Sequence, residues 1–207
     1  MGAFPSWSPD SQRIVFESEE RILTVIRADG GSPRSLSTGL KEVANLWANW
    51  SHDGRWIYFR SMRSGESNIW KIPPEGGKAV RVTQDQGDVP QESPDGKTLY
   101  FQKAEDFPRR CSVWRLPVAG GPETRVLDDV HCYGGWAVAE SGIYFVHLRT
   151  SEEGEIRFRD FETGLTQVIT TIDRSPRMRL TLSPDNSSLL FVLYDYAGAD
   201  LMLVENF

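Results

Sequence analysis

Apolar and polar residues alternate along this chain in short runs that return at a nearly fixed interval. The segments "RIVFES", "WIYFRS", "TLYFQK", "GIYFVH" and "SLLFVLY" carry the period-2 signature of strands with a buried face. Anchored on Ile14, Ile57, Leu99, Ile143 and Leu189, they are separated by 43, 42, 44 and 46 residues, the spacing of a repeated supersecondary unit. Seven positions before each anchor stand Trp7, Trp50, Glu92, Trp136 and Leu182, on a short first strand. Third strands begin at Leu23, Ile69, Val113, Ile156 and Leu201, and short fourth strands centre on Leu36, Val82, Val126 and Ile169. No apolar stripe of helical period runs beyond about two turns, and the spacing of Pro and Gly would interrupt one.

The turns agree with the strands. Between first and second strands stand Ser-Pro-Asp or Ser-His-Asp strings containing Asp10, Asp53, Asp95 and Asp185. In such a string Pro presets φ, Asp bonds backbone N–H groups two residues on, and Gly accepts positive φ at the exit. These carboxylates therefore read as turn residues, one per unit and too far apart to share a metal. Gly-Gly pairs at 30–31, 76–77 and 120–121 reverse the chain between third and fourth strands. The fourth unit has Ala137, Val138 and Ala139 where the Ser-Pro-Asp string would fall, so its turn is expected to be built differently.

A four-stranded sheet cannot bury both faces alone, and radial stacking of such sheets is a β-propeller. The expectation is an all-β propeller of five four-stranded units, the last three-stranded, at about 3–39, 46–84, 88–128, 132–171 and 177–207, in one domain spanning 1–207. The chain begins on a first strand and stops after a third. Two readings follow, a five-bladed ring closed by packing alone or part of a larger propeller, and the second is preferred. The edge strand at "LMLVENF" is expected to invite self-association.

The string W-S-P-D-G-x-x-I-x-F, followed by a strand such as "NIWKIPPEGG" and then "RVT", resembles the TolB-type, WD-repeat-like propeller repeat of bacterial proteins. The best copy is 49–83, and the resemblance runs over 4–204. It implies a fold more firmly than an activity. Members of that family serve as the periplasmic TolB partner of lipoproteins, as sensor portions of bacterial regulators, or as gating domains of peptidases.

Composition narrows the partners. The formal net charge is -6, with 39% hydrophobic and 25% charged residues, and no segment clusters Lys or Arg. Capture of nucleic acid or of an anionic membrane is excluded on this ground. No apolar stretch approaches the roughly 18 residues of a membrane helix, and the first residues do not form a signal peptide. The periplasm and the cytoplasm both remain open as locations.

Strand direction gathers the longer loops, 61–68, 84–90, 102–111, 128–134, 149–155 and 171–178, at one face, where binding of a protein or small ligand is expected. Trp7, Trp50 and Trp136 share one repeat position and read as core packing between blades. Trp47, at a unit junction, is expected to line the mouth, together with Asp88, His131, Tyr133, Arg177 and Arg179. Arg174 joins the two arginines in a trio suited to an acidic partner. His131 and Cys132 are neighbours on an extended segment and point to opposite sides, which argues against a nucleophile pair. Cys111 and Cys132 fall at the same end of one blade or its neighbour. A disulfide is sterically allowed there, although free thiols are preferred in a reducing compartment.

The resulting expectation is a binding module with no catalytic residue, metal or cofactor. The competing class is a hydrolase, either a glycoside hydrolase or the propeller of a peptidase. It would need carboxylates from different blades, such as Asp88, Glu92 and Glu140, to converge.

Overall fold

The computed structural model describes residues 3–36, 44–107, 110–150, 153–173, 179–183, 185–195 and 198–205. Every regular element among them is a strand. The first sheet is β1 (Ala3–Trp7), β2 (Arg13–Glu17), β3 (Leu23–Arg27) and β4 (Arg34–Ser35). The second is β5 (Asn45–Trp50), β6 (Ile57–Ser61), β7 (Asn68–Ile72) and β8 (Val80–Arg81). The third is β9 (Asp88–Glu92), β10 (Thr98–Asp106), β11 (Arg110–Pro117) and β12 (Thr124–Val130). The fourth is β13 (Trp136–Val138), β14 (Gly142–Leu148), β15 (Gly154–Asp160) and β16 (Thr166–Ile172). A three-stranded sheet follows, of β17 (Thr181–Leu182), β18 (Ser188–Asp195) and β19 (Gly198–Glu205). Within each sheet the strands neighbour one another in chain order, the up-and-down arrangement of a propeller blade.

The chain divides into two compact units: 1–103 with 115–124, and 104–114 with 125–207. The third sheet contributes to both. In the first unit, Val15, Leu23, Val25 and Leu36 of one blade pack with Ala48, Trp50, Ile57, Phe59 and Ile72 of the next. In the second, Ala137, Val146, Ile156 and Ile172 pack with Leu180, Leu189 and Phe191. Sheets thus bury their faces against each other, at about 1.5–3 kcal/mol for each large apolar side chain removed from water.

The Ser-x-Asp turn is built identically in four blades. Ser51 Oγ donates to Asp53 Oδ1 at 2.8 Å and accepts from Trp56 N–H at 2.9 Å, while Arg55 N–H donates to the same carboxylate at 2.9 Å. Ser8 with Asp10, Ser93 with Asp95 and Ser183 with Asp185 repeat these bonds. The left-handed corner is Ser11, Gly54, Gly96 or Asn186, with φ of 56–68°. Burial alone would raise the Asp53 pKa, but the Arg55 N–H, the Ser51 hydroxyl and the Arg55 guanidinium outweigh it and hold the carboxyl down to about 2. The fourth blade uses a shorter reversal instead, closed by Ala139 N–H on Gly142 O at 2.9 Å.

A second recurring device was not visible in the turn residues. Phe4, Trp47, Val89 and Tyr133, each ten positions before its anchor, all adopt φ of 49–65°. In the first three blades this residue sits in a register shift between first and second strands, at Ala3/Ser6, Leu46/Asn49 and Tyr100/Gln102. Such bulges bend the strand and re-aim its side chains, and a bulky residue in this region stores strain that its surroundings must offset. Part of the offset comes from the preceding blade. The buried carboxylate of Glu17 accepts the Trp47 N–H, and Arg60, in the same repeat position as Glu17, reaches Asp88 at the next bulge.

Candidate functional site

In the first unit the loop-bearing end of the blades is organised by that bulge. Arg60 Nε lies 3.3 Å from Asp88 Oδ2 and donates to Ser67 Oγ at 2.7 Å, and Ser67 Oγ donates to Gly87 O at 3.2 Å. Val89 N–H donates back to Asp88 Oδ1 at 3.0 Å. Burial lifts the Asp88 pKa to about 6, against the opposing pull of Arg60 and the Val89 N–H. Asp88 therefore stands at this end as a carboxyl poised near neutrality, with a guanidinium beside it.

Trp47 does not line an open mouth. Its side chain is 7% exposed and stacks on Phe4 with ring centroids 4.3 Å apart. Trp47 therefore packs into the wall of this end, on a backbone held at positive φ.

In the second unit the corresponding end carries an aromatic pair. Cys111, in β11, is joined to Cys132 in the turn before β13, with Cα atoms 5.2 Å apart. The preference for free thiols is thereby corrected: the two residues meet within bridging distance. Beside the bridge, Tyr133 holds φ of 65° and packs edge-on against Phe107 at 5.1 Å between ring centroids. These rings remain 37% and 59% exposed. His131 is half-buried, its ring 6.5 Å from that of Tyr133 and its backbone N–H bonded to Val146 O at 2.9 Å. His131 and Tyr133 are among the residues expected at this end; Phe107 was not named, because neither its neighbours nor its spacing repeat in other units.

Of the arginine trio, Arg174 and Arg177 lie outside the described residues, and Arg179 is half-buried ahead of β17. The three acidic candidates fall on two blades, Asp88 and Glu92 in the first unit and Glu140 in the second. Asp88 and Glu92 occupy opposite ends of β9, about 13 Å apart at strand rise, and Glu140 sits exposed in the tight reversal of the fourth blade.

Trp50 and Trp136 are buried as expected, but Trp7 is 57% exposed. The reason is visible at Trp50, whose indole N–H donates to Ser6 O at 3.1 Å while the Arg13 guanidinium covers its ring at 4.8 Å. Both partners come from the blade before it. No described residue supplies them to Trp7.

The model of the TolB beta propeller domain family matches residues 1–130. An uncharacterized protein of Agrobacterium fabrum is 29% identical over 135 residues, 62% of this chain and 44% of its own length. Dipeptidyl-peptidase 5 of Porphyromonas gingivalis is 30% identical over 98 residues, 41% of this chain and 14% of that protein. The chain thus spans less than half of either curated relative. Among solved structures, a putative TolB from Agrobacterium tumefaciens superposes with a TM-score of 0.81 at 23% identity, covering 99% of this chain and 77% of that one. The likeness is one of fold, an all-β propeller. No helix among the described residues is long and apolar enough to cross a membrane.

Proposed function

Because the chain belongs to the TolB beta propeller domain family, we propose that it is a non-catalytic binding module that holds a protein partner at the loop-bearing end of its blades. The observation that carries this reading is the Phe107–Tyr133 pair, two exposed rings held beside a disulfide. Large aromatic side chains with little conformational freedom to lose are the usual anchors of protein interfaces. His131 and Arg179 extend this surface in the second unit, Asp88 serves the equivalent end of the first, and Arg177 is part of the same proposal. The disulfide supports an oxidising compartment, which makes the periplasm the proposed location. The expected five units reduce to four four-stranded blades and a three-stranded sheet, and this with the 77% coverage of the Agrobacterium putative TolB structure supports a larger propeller of which they are part.

A second reading keeps the same surface but assigns it to a catalytic domain of the same polypeptide. The similarity to dipeptidyl-peptidase 5 favours it. Replacement of Tyr133 by a photo-crosslinking amino acid in the native host tests both, with the exposed Leu165 as control position. A protein adduct formed at Tyr133 and not at Leu165 is expected. Equal labelling at both positions, or none, overturns the binding reading, and an adduct confined to the same polypeptide replaces it with the peptidase reading.

A further inference from the structure

At the opposite, turn-bearing end of the first unit lies an open cavity of about 220 Å³. Trp7 and Pro9 of the first blade, Asn49, Trp50 and His52 of the second, and Glu92 of the third border it. Its volume falls below the roughly 300–1,000 Å³ of sites for drug-sized molecules. One side chain is the appropriate size of guest.

Three observations define the chemistry of that guest. The first is a recurring contact of this protein: four of its seven indoles are covered by cations. Arg13 lies over Trp50 at 4.8 Å, Lys71 over Trp56 at 4.7 Å, Arg63 over Trp70 at 4.8 Å and Arg125 over Trp114 at 5.9 Å. Trp7 occupies the repeat position of Trp50, is largely exposed, and has no such cation among the described residues. The second is charge. Glu92 brings a carboxylate, no lysine or arginine borders the cavity, and the nearby Arg13 is paired with Glu75 at 3.2 Å. The third is the employment of the polar groups. Asn49 is engaged on both sides of its amide, accepting from Ser6 Oγ at 2.7 Å and donating to Pro90 O at 3.2 Å. Little is left to match the several hydroxyls of a sugar. Glu92 accepts the His52 backbone N–H at 2.6 Å and bonds the Tyr58 side chain. These bonds fix the carboxylate in place.

We propose that this cavity receives one arginine side chain of a basic peptide segment, its guanidinium stacked on the Trp7 indole and paired with the Glu92 carboxylate. A planar guanidinium suits an indole face and a fixed carboxylate together. The proposal concerns a different end of the blades from the Phe107–Tyr133 surface and stands or falls separately from it.

The test uses the whole chain and three probes: a blocked Gly-Arg-Gly peptide, its citrulline twin, and maltotriose. Titrations follow the Trp7 indole N–H resonance, assigned by its loss in Trp7→Leu. The arginine peptide is expected to shift that resonance and to bind about fivefold more weakly to Glu92→Gln. In Trp7→Leu, binding read by calorimetry falls by about fivefold. The citrulline twin, which lacks the charge, should lose as much on the wild type. Trp7 is exposed, so its substitution leaves the core intact, and the side-chain amide introduced by Glu92→Gln retains an acceptor for the His52 N–H. Equal affinity for arginine and citrulline, no shift of Trp7 up to about 10 mM peptide, or preferential binding of the saccharide would each overturn the proposal.

Discussion

Reduction of the Cys111–Cys132 bridge is the perturbation whose magnitude follows most directly from the structure. The two residues are 21 apart in sequence, and closing a loop of that length in the unfolded chain is worth about 3 kcal/mol on the chain-entropy account. A change of that size shifts the unfolding equilibrium roughly 150-fold and, at ordinary urea sensitivities, lowers the midpoint by about 1–3 M. The assay is urea unfolding followed by tryptophan fluorescence with and without reductant. A Cys111→Ala, Cys132→Ala double variant should be insensitive to reductant and serves as control. Both cysteines are buried, so comparison of oxidised with reduced wild type isolates the cross-link from the packing loss that the alanines add. Hydrogen exchange should localise the effect to the second unit, leaving β2 and β3 protected as before. The reasoning is refuted if the wild type unfolds identically under both conditions, or if two thiols alkylate in denaturant before any reductant is added.

Further outcomes are expected. Ser51→Ala removes a buried hydroxyl that donates to Asp53 and accepts from Trp56 N–H, and should cost about 1–3 kcal/mol by chemical denaturation. The Asp53 and Asp185 carboxyls are held at about 2, below their usual 3.8, so the stability they contribute is complete above pH 4 and is lost as pH falls toward 2; an acid titration that is flat over this window would count against the turn assignment. Asp88 runs the other way: with its pKa raised to about 6, stability linked to it is present below pH 4 and declines as pH rises through 6, and a carboxyl NMR titration centred near 3.8 would refute that. Gly142→Ala should destabilise by about 3 kcal/mol or more, because a Cβ there would lie 2.3 Å from Arg159 O and 2.4 Å from the Phe158 ring, and a thermal melt matching wild type would show that β15 can yield. The self-association expected of β19, the outer strand of its sheet, predicts a rise in scattering mass with concentration, and a strict monomer at millimolar protein excludes it.

What the sequence disclosed was whatever a blade does for itself. The Ser-Pro-Asp string, the alternating second strand and the Gly-Gly reversal each involve residues a few positions apart, and the odd turn of the fourth blade was equally visible because Ala137–Ala139 cannot make the same bonds. What stayed hidden depended on the neighbouring blade. Trp7 and Trp50 are indistinguishable by repeat position, yet Trp50 packs against the preceding blade, with Arg13 and Ser6 of that blade over it. The left-handed residue ten before each of the first four anchors is Phe, Trp, Val or Tyr, none of which advertises positive φ. Only alignment of the copies by their anchors, with the turn signals set aside, would have exposed a shared backbone position. The burial of Trp47 against Phe4 was hidden for the same reason, since the Glu17 carboxylate that holds its backbone belongs to the preceding blade.

The two recurring devices differ in portability. The Ser-x-Asp turn draws all its partners from one hairpin and can be copied with that hairpin intact. The bulge is a latch whose keeper, Glu17 for Trp47 and Arg60 for Asp88, belongs in both cases to the blade synthesised earlier. As the chain emerges from a ribosome, the keeper of each of these two segments is synthesised before the segment it holds, an order that favours assembly from the earlier blade to the later one. A circular permutation that delivered the second blade before the first would leave Trp47 waiting for its carboxylate, with every residue and every native contact otherwise unchanged.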